Sequence, residues 1–160
     1  MTLWGALAGG AVGTVVLTSG LRIAQELGWT RMDIPLLLGT AFTDNRSRAS
    51  VIGYLLHFVN GFLFALVYYA IFRAVGHAGW AFGAALGVVH AAFSGGVLVT
   101  ELLPAIHPRM GTPWSDSEET PLLEPPGFML VNYGRRTAIG TLVGHIAYGA
   151  IVGGFAAGLG

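Results

Sequence analysis

The sequence predicts an all-α fold: a polytopic membrane protein built as a four-transmembrane-helix bundle. Three observations carry that prediction. Of 160 residues, 54% are hydrophobic and only 10% charged, with mean hydropathy +0.67; soluble domains carry about 25% charged residues. Four stretches, 3–21, 50–71, 78–103 and 137–159, reach the roughly 20 apolar residues that a spanning helix needs. None of them shows the charged face of a soluble helix of that length. The chain, 1–160, therefore reads as a single transmembrane domain.

The first span lacks a basic leader, and its apolar part exceeds the usual signal-peptide core of about 7–15 residues, so it reads as a retained helix. The second is interrupted only by His57 and Asn60, and the third only by His90 and Glu101. Pro104 is expected to end the third span. The chain has no cysteine, which excludes disulfides, thiolate metal ligands and thiol chemistry. Its formal net charge of +0 offers no basic surface for nucleic acid.

Four spans place loops 22–49 and 104–136 on one side. They carry Arg22, Arg31, Arg46, Arg48, Arg109, Arg135 and Arg136, against Arg73 alone in the short loop between spans 2 and 3. Positively charged loops stay inside, so both long loops are expected in the cytoplasm and both termini outside. The first loop contains DIPLLLGTAFTDN. Asp33 can cap a helix whose first turn holds Pro35, with Leu36, Leu37, Leu38 and Phe42 in the interface and Gly39 or the TDN run as its stop. It is too short for a fifth span. The second loop holds six of the seven prolines. Its TPWSDSEETP stretch reads as polar and extended. Its LEPPGFMLVNYGRR stretch reads as structured, with Phe128 and Tyr133 at headgroup level and Arg135 and Arg136 toward lipid phosphates.

DIPLLLGTAFTDNR, GYLLHFVNG, IHPRM, LEPPGF and NYGRRT, in this order, resemble an uncharacterised family of small four-span bacterial inner-membrane proteins of unknown function. The resemblance covers residues 33–154. It implies a bacterial plasma membrane and assigns no chemistry. The acidic insert at 116–119 matches poorly and receives no role.

Glycine falls in register: Gly5, Gly9 and Gly13; Gly79, Gly83 and Gly87; Gly140 with Gly144; Gly149 with Gly153. In lipid, small residues let helix backbones approach and gain dispersion contacts. Packing inside the bundle is the simpler use of these ridges. An interface on span 1 with another copy or a larger complex is the sharper one.

Intramembrane ionisable residues are costly and usually face the bundle interior. At ~1.5 Å per residue, His57 lies about 10 Å and His145 about 12 Å from the cytoplasmic face, on helices of the same direction. His90 lies roughly 20 Å in. His57, Asn60, Gly61, Phe64 and Tyr68 form one stripe; Thr141, His145, Tyr148 and Gly149 form another. His90, Ser94, Val97 and Glu101 align on the third span, because 11 residues is close to three full helical turns, and Arg22 and Glu26 are spaced for an ion pair. Together these predict a polar seam through Asn60, Ser94 and Tyr148, with Arg22, Asp44, Glu101 and His107 at its mouth.

Four uses of the histidines follow. Each can satisfy a neighbour by an interhelical hydrogen bond. His57 and His145 could clamp a b-type haem, with Gly61 and Gly149 making room for the ring, or His57, His90 and His145 could share a divalent metal. The histidines and Glu101 could relay protons in a small proton-coupled transporter or channel component. Glu101 and His107 are the one acid–base pair available to an enzyme on a lipid or quinone, with Pro104 breaking their helical register. The reading that best fits all of this is a non-catalytic binding or accessory protein of the lipid bilayer. It would work as a homo-oligomer or as a subunit of a larger membrane complex.

Overall fold

A computed structural model describes residues 1–111 and 123–158. The TPWSDSEETP stretch and Leu159, the end of the fourth expected span, lie outside the described residues. The chain is all-α. Four helices are long and apolar enough to cross a membrane: Leu3–Glu26, Arg46–Val75, Trp80–Ile106 and Thr137–Gly158.

Helix α1 (Leu3–Glu26) starts at Thr2, whose hydroxyl accepts the Gly5 N–H at 3.0 Å. It outlasts its apolar stretch by a turn, and there Arg22 pairs with Glu26 at 3.2 Å as their spacing predicts. Helix α2 (Ile34–Thr40) is the expected short segment. Asp33 caps it by accepting the Leu36 N–H, and Pro35 occupies the first turn, where a missing N–H costs nothing. Helix α3 (Arg46–Val75) is capped by Asn45 and closed by Gly76 at φ 76°, the left-handed conformation a helix stop favours.

The third span departs from expectation. It is α-helical only over α4 (Trp80–Phe93), then winds as a π-helix over Ser94–Leu102 and ends in α5 (Leu103–Ile106). π-helical turns are rare and gather at functional sites. Pro104 does not stop the span, which runs on through α5 to Ile106 and ends where His107 turns extended. Helix α6 (Thr137–Gly158) completes the bundle.

Glycine dictates the packing. Cβ atoms at Gly5 and Gly9 would meet the backbone of Phe155 and Val152 on α6, and one at Gly13 would meet the Tyr148 ring. Gly83 and Gly149 each face the other's backbone, and Gly87 faces the His145 carbonyl. The span 1 ridge is thus consumed inside the bundle, which removes it as an intermolecular interface. Gly140 stands in open space. The order around the bundle is α3, α1, α6, α4. The seam from α4 back to α3 is closed by rings: Phe64 on His90 and Phe93, and Phe72 on Phe82.

The two long loops form one cap at one end. Met32, Leu37, Met110, Leu130 and Tyr133 make its core. Gly39 lies against the Ala49 carbonyl and Gly53 against the Pro35 carbonyl, which presses α2 onto the start of α3. Arg109 donates to the Thr40 carbonyl at 2.6 Å, and Arg31 to the Asn132 carbonyl and the Glu124 carboxylate. Phe128 is 74% exposed, but Tyr133 is buried and donates its O–H to the Glu124 carbonyl at 2.8 Å. The cap core holds that ring, so Tyr133 packs inside the cap instead of presenting a free face.

Candidate intramembrane histidine site

His57, His90 and His145 come from α3, α4 and α6, and the fold brings them to one region of the bundle. His90 and His145 meet edge to face, with ring centroids 4.5 Å apart. The sequence set His57 and His145 level and His90 deeper. Contact instead joins His90 to His145, because α4 and α6 approach backbone to backbone through Gly83, Gly87, Gly149 and Gly153. His57 stands near His145 in the same part of the bundle.

The ring of His90 is held on several sides. Phe64 stacks on it at 3.8 Å between centroids, and Tyr68 and Tyr148 meet it edge-on at 5.8 and 5.6 Å. The Tyr68 oxygen stands 3.4 Å from His90 Nδ1. His145 Nδ1–H donates to the Thr141 carbonyl at 2.7 Å; a carbonyl only accepts, so in the neutral ring Nε2 is left as an acceptor. Tyr148 donates its O–H to the Gly61 carbonyl at 2.5 Å, crossing from α6 to α3. His57 differs. Both of its ring nitrogens are buried with no hydrogen-bond partner among the described residues, and the hydroxyl of Thr141 is in the same condition.

Two expectations for a ligand site meet the packing. The room beside Gly61 is filled by the Thr14 side chain, and that beside Gly149 by the backbone of Gly83, so neither glycine leaves a slot for a flat ring. Among the described residues, no group of three or more His, Asp or Glu side chains is arranged to hold a metal ion. A surface depression of about 370 Å³ lies between α1 and α3 at Thr18, Arg22, Tyr54 and Phe58, and none of the histidines lines it.

The predicted polar seam does not form. Tyr148 and Ser94 are buried in the bundle, but Asn60, Glu101, Arg22 and Asp44 are exposed. Each i→i+5 turn of the π-helix adds a residue to the α spacing, so Glu101 no longer follows His90 down one face. His107 is buried and engaged on both sides. Its Nδ1 accepts the Arg109 N–H at 3.1 Å, which leaves Nε2–H to donate to the Leu37 carbonyl at 3.0 Å. It is a clasp between the end of the third span and α2, with no hydrogen bond or ion pair to Glu101 among the described residues.

Compared with known proteins, the chain matches no family model, no curated sequence and no solved structure.

Sequence reasoning put Phe64 and Tyr68 on the His57 stripe without seeing that they enclose His90. It missed the π-helix; the SGG run at Ser94–Gly96 was its one visible signal. Thr100 anchors that segment, its single O–H shared between the Gly95 carbonyl and, at 3.0 Å, the Gly127 carbonyl of the cap. Met129 and Leu130 pack against Gly95 in left-handed conformations, φ 51° and 66°, that side chains rarely adopt.

Proposed function

We propose that the protein is a non-catalytic binding protein of the bacterial inner membrane, serving as an accessory subunit in a larger membrane assembly, with the histidine cluster as its binding element. The observation that supports this is His57. A neutral imidazole carries one N–H, and burying it without an acceptor costs about 1–3 kcal/mol. A guest offering oxygen or nitrogen atoms beside His57, His145 and Thr141 would offset that cost. The engagement of His107, and the outward position of Glu101, speak for binding over acid–base chemistry.

A divalent metal or a b-type haem on His57 and His145 is the runner-up guest; the filled spaces at Gly61 and Gly149 weigh against the haem. The test is purification in mild detergent, followed by a visible spectrum, elemental analysis and native mass spectrometry. A stoichiometric guest lost in His57→Leu is expected. A guest-free protein in which His57→Leu is as stable as the parent or more so would overturn the reading. A Soret band or bound metal would move it to the runner-up.

The orientation places both termini outside and the cap in the cytoplasm. Seven of the eight arginines lie within 22–49 and 104–136, at the cap end of the bundle. Protease outside intact cells should leave 112–121 uncut; cleavage there reverses the orientation.

A further inference from the structure

We propose that the outer face of α3 pairs with a second copy of this chain, with the Asn60 side chains hydrogen-bonded across a two-fold axis normal to the membrane. Asn60 stands at the middle of the 30-residue helix α3. It is exposed on the bundle surface and makes no hydrogen bond among the described residues. From Leu55 to Phe72 it is the one exposed polar side chain on this helix. The sequence stripe turned it inward with His57. The structure puts Gly61, Ala65 and Tyr68 against the neighbouring helices instead, which leaves Asn60 on the rim facing lipid.

An amide at mid-bilayer finds no partner in hydrocarbon, and leaving its donors and acceptor unpaired is costly. The groups that could satisfy it must come from another polypeptide. A second copy fits for a chemical reason. Asparagine carries both donors and an acceptor, so two amides at equal depth complete each other. Two copies inserted in the same orientation bring equal depths into register, and a two-fold contact is self-complementary by construction. Around Asn60 the face continues at helical spacing. Leu63 and Val67, 55% and 50% exposed, follow at i+3 and i+7 and form an apolar seam on either side of which lipid is excluded once the copies meet. The glycine ridges offer no competing surface, since those of α1 and α4 are spent on α6. This surface depends on the membrane location and not on the histidine cluster, so the two proposals can fail separately.

The absence of cysteine makes the test direct. Leu63→Cys and Val67→Cys each keep Asn60 and add a single thiol. Oxidation in native membranes should give a disulfide-linked homodimer for both. A thiol on the exposed face of α6, Val143→Cys, should give none. Asn60→Leu should raise the dimer dissociation constant in lipid roughly tenfold, the scale of one interhelical polar contact, while Asn60→Gln keeps pairing. Monomeric Leu63→Cys and Val67→Cys proteins, or an adduct whose mass identifies a different protein, would overturn the proposal. So would dimerisation that Asn60→Leu leaves unchanged.

Discussion

Gly83 on α4 and Gly149 on α6 each occupy the space that the other's Cβ would need: a methyl added at either would collide with the facing carbonyl. Overpacking a tight interior commonly costs 1–3 kcal/mol, and here the obstacle is backbone, which cannot turn aside. Gly83→Val is expected to lose about 3 kcal/mol or more in an unfolding titration in mixed micelles. Gly140→Ala meets open space and should be neutral or gain up to about 1 kcal/mol from helix propensity. Equal effects at the two sites would refute the packing order given above.

The π-helix hangs on Thr100, which ties the third span to the cap through the Gly127 carbonyl. Thr100→Val keeps the shape and removes the donor. It should cost about 1–2 kcal/mol and speed proteolysis of the cap, while Thr100→Ser restores both. A Val variant as protected as the parent would show that the tie is idle.

His107→Phe fills a similar volume but leaves the Arg109 N–H without its acceptor and the Leu37 carbonyl without its ring donor. A loss of about 1–3 kcal/mol is expected, with faster amide exchange confined to α2 and its contacts. Uniform exchange changes across the bundle would contradict a local clasp.

Tyr133 gives the cap an alkaline limit. Burial pushes its phenol up to about 12; the Glu124 carboxylate adds to this and Arg31 opposes it. An unfolded tyrosine ionises near about 10. Below that pH both states are neutral and the full contribution is present. Between about 10 and about 12 only the unfolded form ionises, so stability falls as pH rises and is lost above the folded value. Phenolate absorbance and cap proteolysis should both change in this window. Tyr133→Phe should abolish that pH dependence, and its persistence would assign the effect elsewhere.

The polar interior divides into what spacing reveals and what it does not. That His57, His90 and His145 fall within helices long and apolar enough to cross a membrane follows from composition and counting. That His90 meets His145 follows from the depth of the glycine contact between α4 and α6. The register of Glu101 was misread because the π turns are a backbone choice, fixed by Thr100 and by Met129 and Leu130 from a loop about thirty residues away.

By itself the sequence determined four apolar helices, the cap at Asp33 with Pro35 in the first turn, the Arg22–Glu26 pair and the close glycine packing. These depend on local composition and on repeats within one segment, where hydropathy and helical spacing act directly. Tertiary structure alone decided which neighbour each face received. It turned Asn60 outward, drew Tyr133 and His107 into the cap and left the nitrogens of His57 buried and unpaired. In a bundle apolar on nearly every side, hydrophobicity cannot say which face turns inward; the fit of small residues against backbone does.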